Sequence, residues 1–241
     1  VSFMPSHAMI LAAGLGLRMR PITETIPKPL VSVAGRTMLD RVMDHLDEAG
    51  VPNRVVNMHW RAEKIEAHLK DKPGITLSDE RELLLETGGG VAKALPLLGG
   101  APFFVCNADI LWRNGPIPAL RRLAAAWDGD KMDALLLMAP TTVAFGYDGP
   151  GDFFLDGQGQ ARRRQGTEIS PYVFAGVQIL HPRLFSDIPA KAFSLNLLYN
   201  RAQDEGRLYG VAHDGEWYHI GTPEALEQAE ALLAQRDHIG G

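Results

Sequence analysis

One cysteine, Cys106, stands in 241 residues. A lone cysteine closes no disulfide within the chain, which fits a reducing compartment and leaves the fold to rest on its core. Apolar runs long enough to span a bilayer are missing, which excludes a helical membrane protein. Residues Val1 to His7 have neither a basic start nor a long apolar middle, so no secretory signal is legible there. A basic surplus is also lacking: 24 Lys and Arg face 29 Asp and Glu, for a net charge of -5. Binding to a nucleic-acid backbone normally rests on such a surplus, so that class starts poorly. Internal repeats, heptads and low-complexity tracts are absent too. The expectation is a cytoplasmic, enzyme-sized protein with no nucleic-acid or membrane partner, preceded by a loose leader over residues 1–7.

What the chain does have is enough apolar material for a sizeable core, 46% of residues, with 22% charged. Short apolar runs alternate with helical patterns. Ala8–Ala13, Asn53–Met58, Ile75–Ser78, Pro102–Asn107 and Asp133–Ala139 read as strands. Thr37–Ala49, Ala62–Leu69, Gly89–Leu98 and Pro116–Trp127 read as helices between them, and Gly50 stops the first. Such alternation predicts an α/β fold, a mostly parallel sheet with helices on both faces. Farther on, Gly149–Gly166 is rich in Gly, Asp, Gln and Arg and reads as a hairpin insertion over a site. Tyr172–Leu180 returns to strand, and Pro223–Gln235 closes the pattern as an amphipathic helix.

Chemistry concentrates after the first strand, in Leu11-Ala-Ala13-Gly14-Leu-Gly16-Leu-Arg18-Met-Arg-Pro21, followed by Pro27-Lys28-Pro29. Glycines after a strand let backbone approach a phosphate, and successive amides can point into the bend. Arg18 offers a fork of donors, and Lys28 a compact charge between two prolines. Together they describe a triphosphate cradle. The spacing matches neither a P-loop nor the three-glycine dinucleotide fingerprint. A second glycine cluster, Glu86-Thr-Gly88-Gly89-Gly90, opens a helix and can meet a flat ligand or a phosphate. Its alternative reading is a glycine-rich helix entry. The third signal is Asn107-Ala-Asp109. A carboxylate just past a buried strand end sits where α/β sheets place ligands, and magnesium favours one or two carboxylates plus phosphate oxygens. The alternative there is a turn-forming Asp.

These motifs resemble the sugar-1-phosphate nucleotidyltransferases over nearly the whole chain. The resemblance implies a Rossmann-like three-layer α/β/α sandwich and attack of a sugar 1-phosphate on the α-phosphorus of a nucleoside triphosphate, expelling pyrophosphate. It implies Arg18, Lys28 and Asp109 as catalytic residues, with Leu11, Ala13, Gly14, Gly16, Glu86, Gly88, Gly89 and Asn107 on the nucleotide. Leu-Glu-Thr-Gly-Gly-Gly is similar to the small N-acetylmuramate-1-phosphate uridylyltransferases of peptidoglycan recycling, so UTP and that sugar phosphate are the expected substrates. Guanylyl or thymidylyl transfer to mannose, heptose or glucose phosphates is the alternative, and a non-catalytic nucleotide-sugar sensor is a third reading. Gly151, Asp152, Gly176 and Trp217 are implied on the sugar side, within about residues 140–190 and the late Trp motif.

The family's Trp-x-Asp-[Val/Ile]-Gly-Thr-Pro appears here as Trp217-Tyr-His219-Ile-Gly-Thr-Pro. His219 stands where a second magnesium ligand is expected. Imidazole suits manganese or another softer ion better than magnesium. Three readings follow: a ligand to such an ion, a donor to phosphate, or a structural histidine. No counterpart of the family's sugar-phosphate lysine is evident; Lys191 and the run Arg162–Arg164 are weak candidates. Without the β-helix that some relatives carry, a monomer is the simplest expectation.

Overall fold

The computed structural model describes residues 3–239. The chain runs β1 (His7–Leu11), α1 (Met38–Ala49), β2 (Asn53–Met58), α2 (Ala62–Leu69), β3 (Ile75–Asp79), α3 (Glu86–Ala94), β4 (Phe103–Asn107), α4 (Ala119–Ala126) and β5 (Ala134–Pro140). It continues with β6 (Phe153–Leu155), β7 (Ala161–Arg163), β8 (Tyr172–Leu180), α5 (Asn196–Asp204), β9 (Leu208–Ala212) and α6 (Pro223–Ile239).

Alternation along the central strands builds the layers. In β1, Ala8 and Ile10 face one core and Met9 faces another; in β4, Phe104 and Cys106 face the first and Phe103 and Val105 the second. Strands buried on both faces need cover on both. Leu39, Val42 and Leu46 of α1, Ile65 of α2 and Leu123 of α4 supply it on one side, and Val91 of α3 and Leu198 of α5 on the other. Leu39 and Leu46 are fully buried, and burial of each such side chain stabilises by roughly 1.5–3 kcal/mol.

The nine-stranded sheet runs β7-β6-β8-β4-β1-β2-β3, with β5 also paired to β8 and β9 to β5. It is mixed and mostly parallel. β4, β1, β2 and β3 run parallel, as do β9 and β5, whereas β8 lies antiparallel between β4 and β5. The β6–β7 hairpin joins this sheet through Phe153 opposite Tyr172, so it extends the sheet edge.

Local chemistry sets the boundaries. Thr37 caps α1, its hydroxyl oxygen accepting from the Asp40 amide at 3.0 Å, and Gly50 ends it at φ 77°. α3 starts at Glu86 rather than Gly89 and ends at Ala94, where Pro96 diverts the chain into a tight turn. The segment read as a loose leader is packed from Phe3 onward. Phe3 stacks on Trp127 with centroids 6.0 Å apart, and Met4 joins the first core. Its apolar side chains have a surface to bury against; Val1 and Ser2 lie outside the described residues. α5 and β9 leave no signal in the periodicity.

A small three-stranded sheet, Leu111–Arg113, Glu216–Tyr218 and Ala144–Phe145, is also silent in the sequence pattern. Leu111 pairs antiparallel with Tyr218. Asp109 precedes the first partner and His219 follows the second, so this register brings both to the same end. α6 then closes a third core, with Ala229 and Leu233 against Met19, Val31 and Met38.

Candidate active site

Leu11 and Asn107 are opposite each other at the carboxyl ends of β1 and β4. A cavity of about 400 Å³ opens above them. Among the residues expected on a nucleotide, Leu11, Ala13, Gly14, Gly16, Glu86 and Asn107 line it. A second recess of about 340 Å³ adjoins it, lined by Arg18 and Gly221 and sharing Gly16, Lys28 and Asp109 with the first.

The two glycines of the first turn differ in kind. Gly16 sits at φ 61°, and a Cβ there would come within 3.0 Å of the Thr23 side chain and 3.1 Å of Lys28. Its carbonyl accepts the Thr23 hydroxyl at 2.7 Å. The fold itself requires this glycine. A Cβ on Gly14 would meet nothing within 4 Å, so packing does not require this glycine, which lines the cavity.

Lys28 and Asp109 meet where the recesses join. Lys28 Nζ donates to Asp109 Oδ2 at 2.8 Å. The lysine side chain is only 10% exposed, while the carboxylate is 42% exposed. The prolines around Lys28 and the buried Met19 hold this wall in place. Arg18 projects from the exposed side of the turn. His219 is half-buried beside Trp217 and Tyr147, with ring centroids 5.9 Å from each. Burial, then the charges of Arg18 and Lys28, hold its pKa below the ordinary 6.5 against the pull of Asp109. The imidazole is therefore neutral at pH 7, with a lone pair available.

Several expected contacts are absorbed by the fold instead. Gly88 and Gly89 do not line the cavity. Their amides donate to the Phe193 carbonyl at 2.8 and 3.1 Å, and a Cβ on Gly88 would meet the Phe193 ring at 2.4 Å. These glycines admit the 193–195 segment against the start of α3. Trp217 is 4% exposed, and its indole N–H donates to the Ala175 carbonyl at 3.0 Å. It braces β8 from inside the core. Gly176, at φ 81°, makes the bulge above that brace, and a Cβ there would crowd Ile110 and Asn107. Asp152 Oδ2 accepts from the Phe174 amide at 2.9 Å, tying the loop to the bulge. Gly151, at φ 75°, donates to the Tyr147 hydroxyl and would clash with Ser170 if it carried a Cβ.

The arginine run is likewise engaged. Arg162 pairs with Glu168, Arg163 bonds Asn200, and Arg164 donates to the Gly151 carbonyl. Lys191 is exposed and lines neither recess.

Comparison with known proteins adds the deciding observation. A family model described as MobA-like NTP transferase domain matches residues 8–237. The chain belongs to that family. It is 45% identical over 241 residues to the N-acetylmuramate alpha-1-phosphate uridylyltransferase of Caulobacter vibrioides, covering 98% of this chain and 100% of that one. It is 35% identical over 232 residues to the enzyme of the same name from Neisseria meningitidis serogroup B, covering 93% and 97%. HddC from Yersinia pseudotuberculosis has the same fold, with a TM-score of 0.75 at 23% identity, covering 94% of this chain and 99% of that one.

Members of this NTP transferase family generally depend on a divalent metal. The donor set fits one. Asp109 offers a partly exposed carboxylate at the junction, and His219 a neutral nitrogen in its electrostatic reach. Among the described residues no group of three His, Cys, Asp or Glu side chains forms a cage. That suits an ion that takes most of its ligands from phosphate and water. Sequence reasoning missed Asn57, which lines the cavity, and Tyr147, which packs on His219. Asn57 lies near the carboxyl end of a central strand, so the rule that ligands gather at carboxyl strand ends could have found it.

Proposed function

We propose that this protein transfers a uridylyl group from UTP to N-acetylmuramate 1-phosphate, yielding the UDP-sugar and pyrophosphate in peptidoglycan recycling. The observation that carries the reading is the Lys28–Asp109 pair at 2.8 Å where the two recesses join. One cation and one carboxylate at a junction suit a reaction that builds charge between two phosphates. The relatives named above support the choice of base and sugar.

In this reading the base lies toward Leu84–Thr87 and the triphosphate crosses the Gly14–Gly16 turn toward Arg18. An oxygen of the sugar phosphate attacks the α-phosphorus. One P–O bond forms and the α–β bridge breaks, with its electron pair leaving on pyrophosphate. The nucleophile is already ionised at neutral pH, so no strong base is needed. Positioning and charge stabilisation are the enzyme's tasks. Lys28 neutralises the charge growing on the phosphates, and Arg18 holds the departing pyrophosphate. Asp109 and His219 would hold the divalent ion, which supplies Lewis-acid polarisation of the phosphates when bound. Magnesium is the expected ion, and the His219 nitrogen favours manganese as a second. Asp152, Gly151 and the Gly176 bulge shape the sugar side. A single nucleotidyltransferase domain over 8–241, acting as a cytoplasmic monomer, completes the proposal. Among the described residues no helix is long and apolar enough to cross a membrane.

The test is a matrix of four nucleoside triphosphates against N-acetylmuramate, glucose and mannose 1-phosphates, read by pyrophosphate release with magnesium or manganese. UTP with N-acetylmuramate 1-phosphate is expected to be fastest. Preference for another pair replaces the specificity, and no pyrophosphate from any pair overturns the enzyme reading.

A further inference from the structure

In the cavity floor, where Ala12 and Asn57 line it, begins a buried hydrogen-bond chain that joins the two loops of the proposed nucleotide site. The Ala12 amide donates to Asn57 Oδ1 at 2.7 Å. Asn57 Nδ2 donates to Glu80 Oε1 at 2.7 Å, and the Leu85 amide donates to Glu80 Oε2 at 3.1 Å. Asn57 is 2% exposed and Glu80 1%. Both carboxylate oxygens of Glu80 are thus engaged inside the protein, one by a side-chain amide and one by backbone. The Glu80 carbonyl accepts from His59 Nδ1 at 2.7 Å, which fixes the backbone too. α3 carries Gly90 at the crossing, where a Cβ would fall 2.8 Å from Asn57 Nδ2 and 2.9 Å from Glu80 Oε1.

The chain has a parity. Both ends are backbone donors, so the outer atom of residue 57 and the outer atom of residue 80 must accept. The middle contact then needs one donor and one acceptor. The native pair, Asn57 and Glu80, satisfies this. Asn57→Asp combined with Glu80→Gln satisfies it equally, with the middle bond reversed. Glu80→Gln alone leaves two donors facing each other, away from water, and a buried unmet donor is costly.

We propose that Asn57 and Glu80 are positioning residues that set the spacing between the Ala12 turn, under the triphosphate, and the Leu85–Glu86 turn, beside the base. The inference rests on the nucleotide reading of the cavity. Its consequence is selective: the chain governs affinity for the nucleoside triphosphate and leaves the sugar phosphate alone.

The test measures UTP binding by calorimetry with magnesium, thermal unfolding, and the KM for each substrate, in the unaltered protein, Glu80→Gln, Asn57→Asp, and the double variant Asn57→Asp with Glu80→Gln. Glu80→Gln is expected to weaken UTP binding about tenfold, the size of one unmatched buried hydrogen bond, with the sugar-phosphate KM unchanged. The double variant is expected to regain most of that affinity, because the bonds are restored in reverse. A lower melting temperature in Glu80→Gln with unchanged UTP affinity overturns the positioning role, and so does a double variant as weak as the single. No UTP binding in the unaltered protein overturns the nucleotide reading and this inference with it.

Discussion

Replacing Lys28 by alanine should separate catalysis from folding more cleanly than any other change at this site. The ammonium is 2.8 Å from Asp109, and its side chain is 10% exposed. At an effective dielectric near 20, a unit charge at that distance interacts by about 6 kcal/mol before desolvation is subtracted. A phosphate oxygen bearing growing negative charge at a similar distance feels a comparable field. Loss of one such preorganised donor typically removes about 2.7–4 kcal/mol of transition-state stabilisation, or roughly 10²–10³ in turnover. The stability cost is much smaller. Asp109 is 42% exposed, so water screens the pair in the free protein, and part-exposed pairs contribute about 0–1 kcal/mol. In a chain of this length that lowers the melting temperature by at most about 2–4 °C. Pyrophosphate release under saturating UTP and sugar phosphate reads the first effect, and calorimetry the second. Near-normal turnover in a folded Lys28→Ala protein would refute the role of this cation. A large drop matched by collapse of the fold would refute the small stability cost instead.

Other expectations follow from named contacts. Gly88→Ala drives a Cβ to 2.4 Å from the Phe193 ring and should destabilise by about 1–3 kcal/mol; an unchanged melting temperature contradicts the packing role. Asp152→Ala removes the acceptor of the Phe174 amide, worth about 1 kcal/mol, so the sugar-phosphate KM should rise several-fold while the UTP KM stays put. An equal shift in both would show a general loosening instead. Burial, the first cause in each case, lowers the pKa values of His45, His181, His213 and His219 from 6.5. Below pH 6.5 they bind fewer protons folded than unfolded, so the stability they give is full above that pH and declines as pH falls. Asp40 does not interfere: burial pushes it up, but hydrogen bonds from His68, Lys72 and Thr37 hold it at about 2. The urea midpoint should be lower at pH 5 than at pH 7.5, and a flat profile would count against neutral burial.

The layered architecture is legible in the sequence because both-face burial leaves an unmistakable trace, short apolar runs separated by helical spacing. The phosphate wall is legible for a different reason. Gly14, Gly16, Arg18 and Lys28 are close in sequence, so one turn carries them to one place. Residues that meet through pairing are not. Asp109 and His219 come together only because Leu111 pairs with Tyr218, and strands of three residues carry little periodic signal. The residues whose groups the fold itself engages share a cause. Gly88, Gly89 and Trp217 stand in recognisable motifs, yet a motif does not say whether its glycines admit a ligand or a neighbouring segment. The partners they meet here, Phe193 and Ala175, are distant in sequence. The Asn57–Glu80 chain is invisible for the same reason, since its parity exists only once four residues are in contact.

The most direct measurement of the central claim is a crystal structure with UTP and a divalent ion bound. The base is expected against the Leu84–Thr87 side of the cavity, the phosphates over Gly14 and Gly16 with Arg18 closing on them, and the α-phosphate beside Lys28 and Asp109. A nucleotide bound away from that pair, or lying with its triphosphate toward Leu84–Thr87, would contradict it.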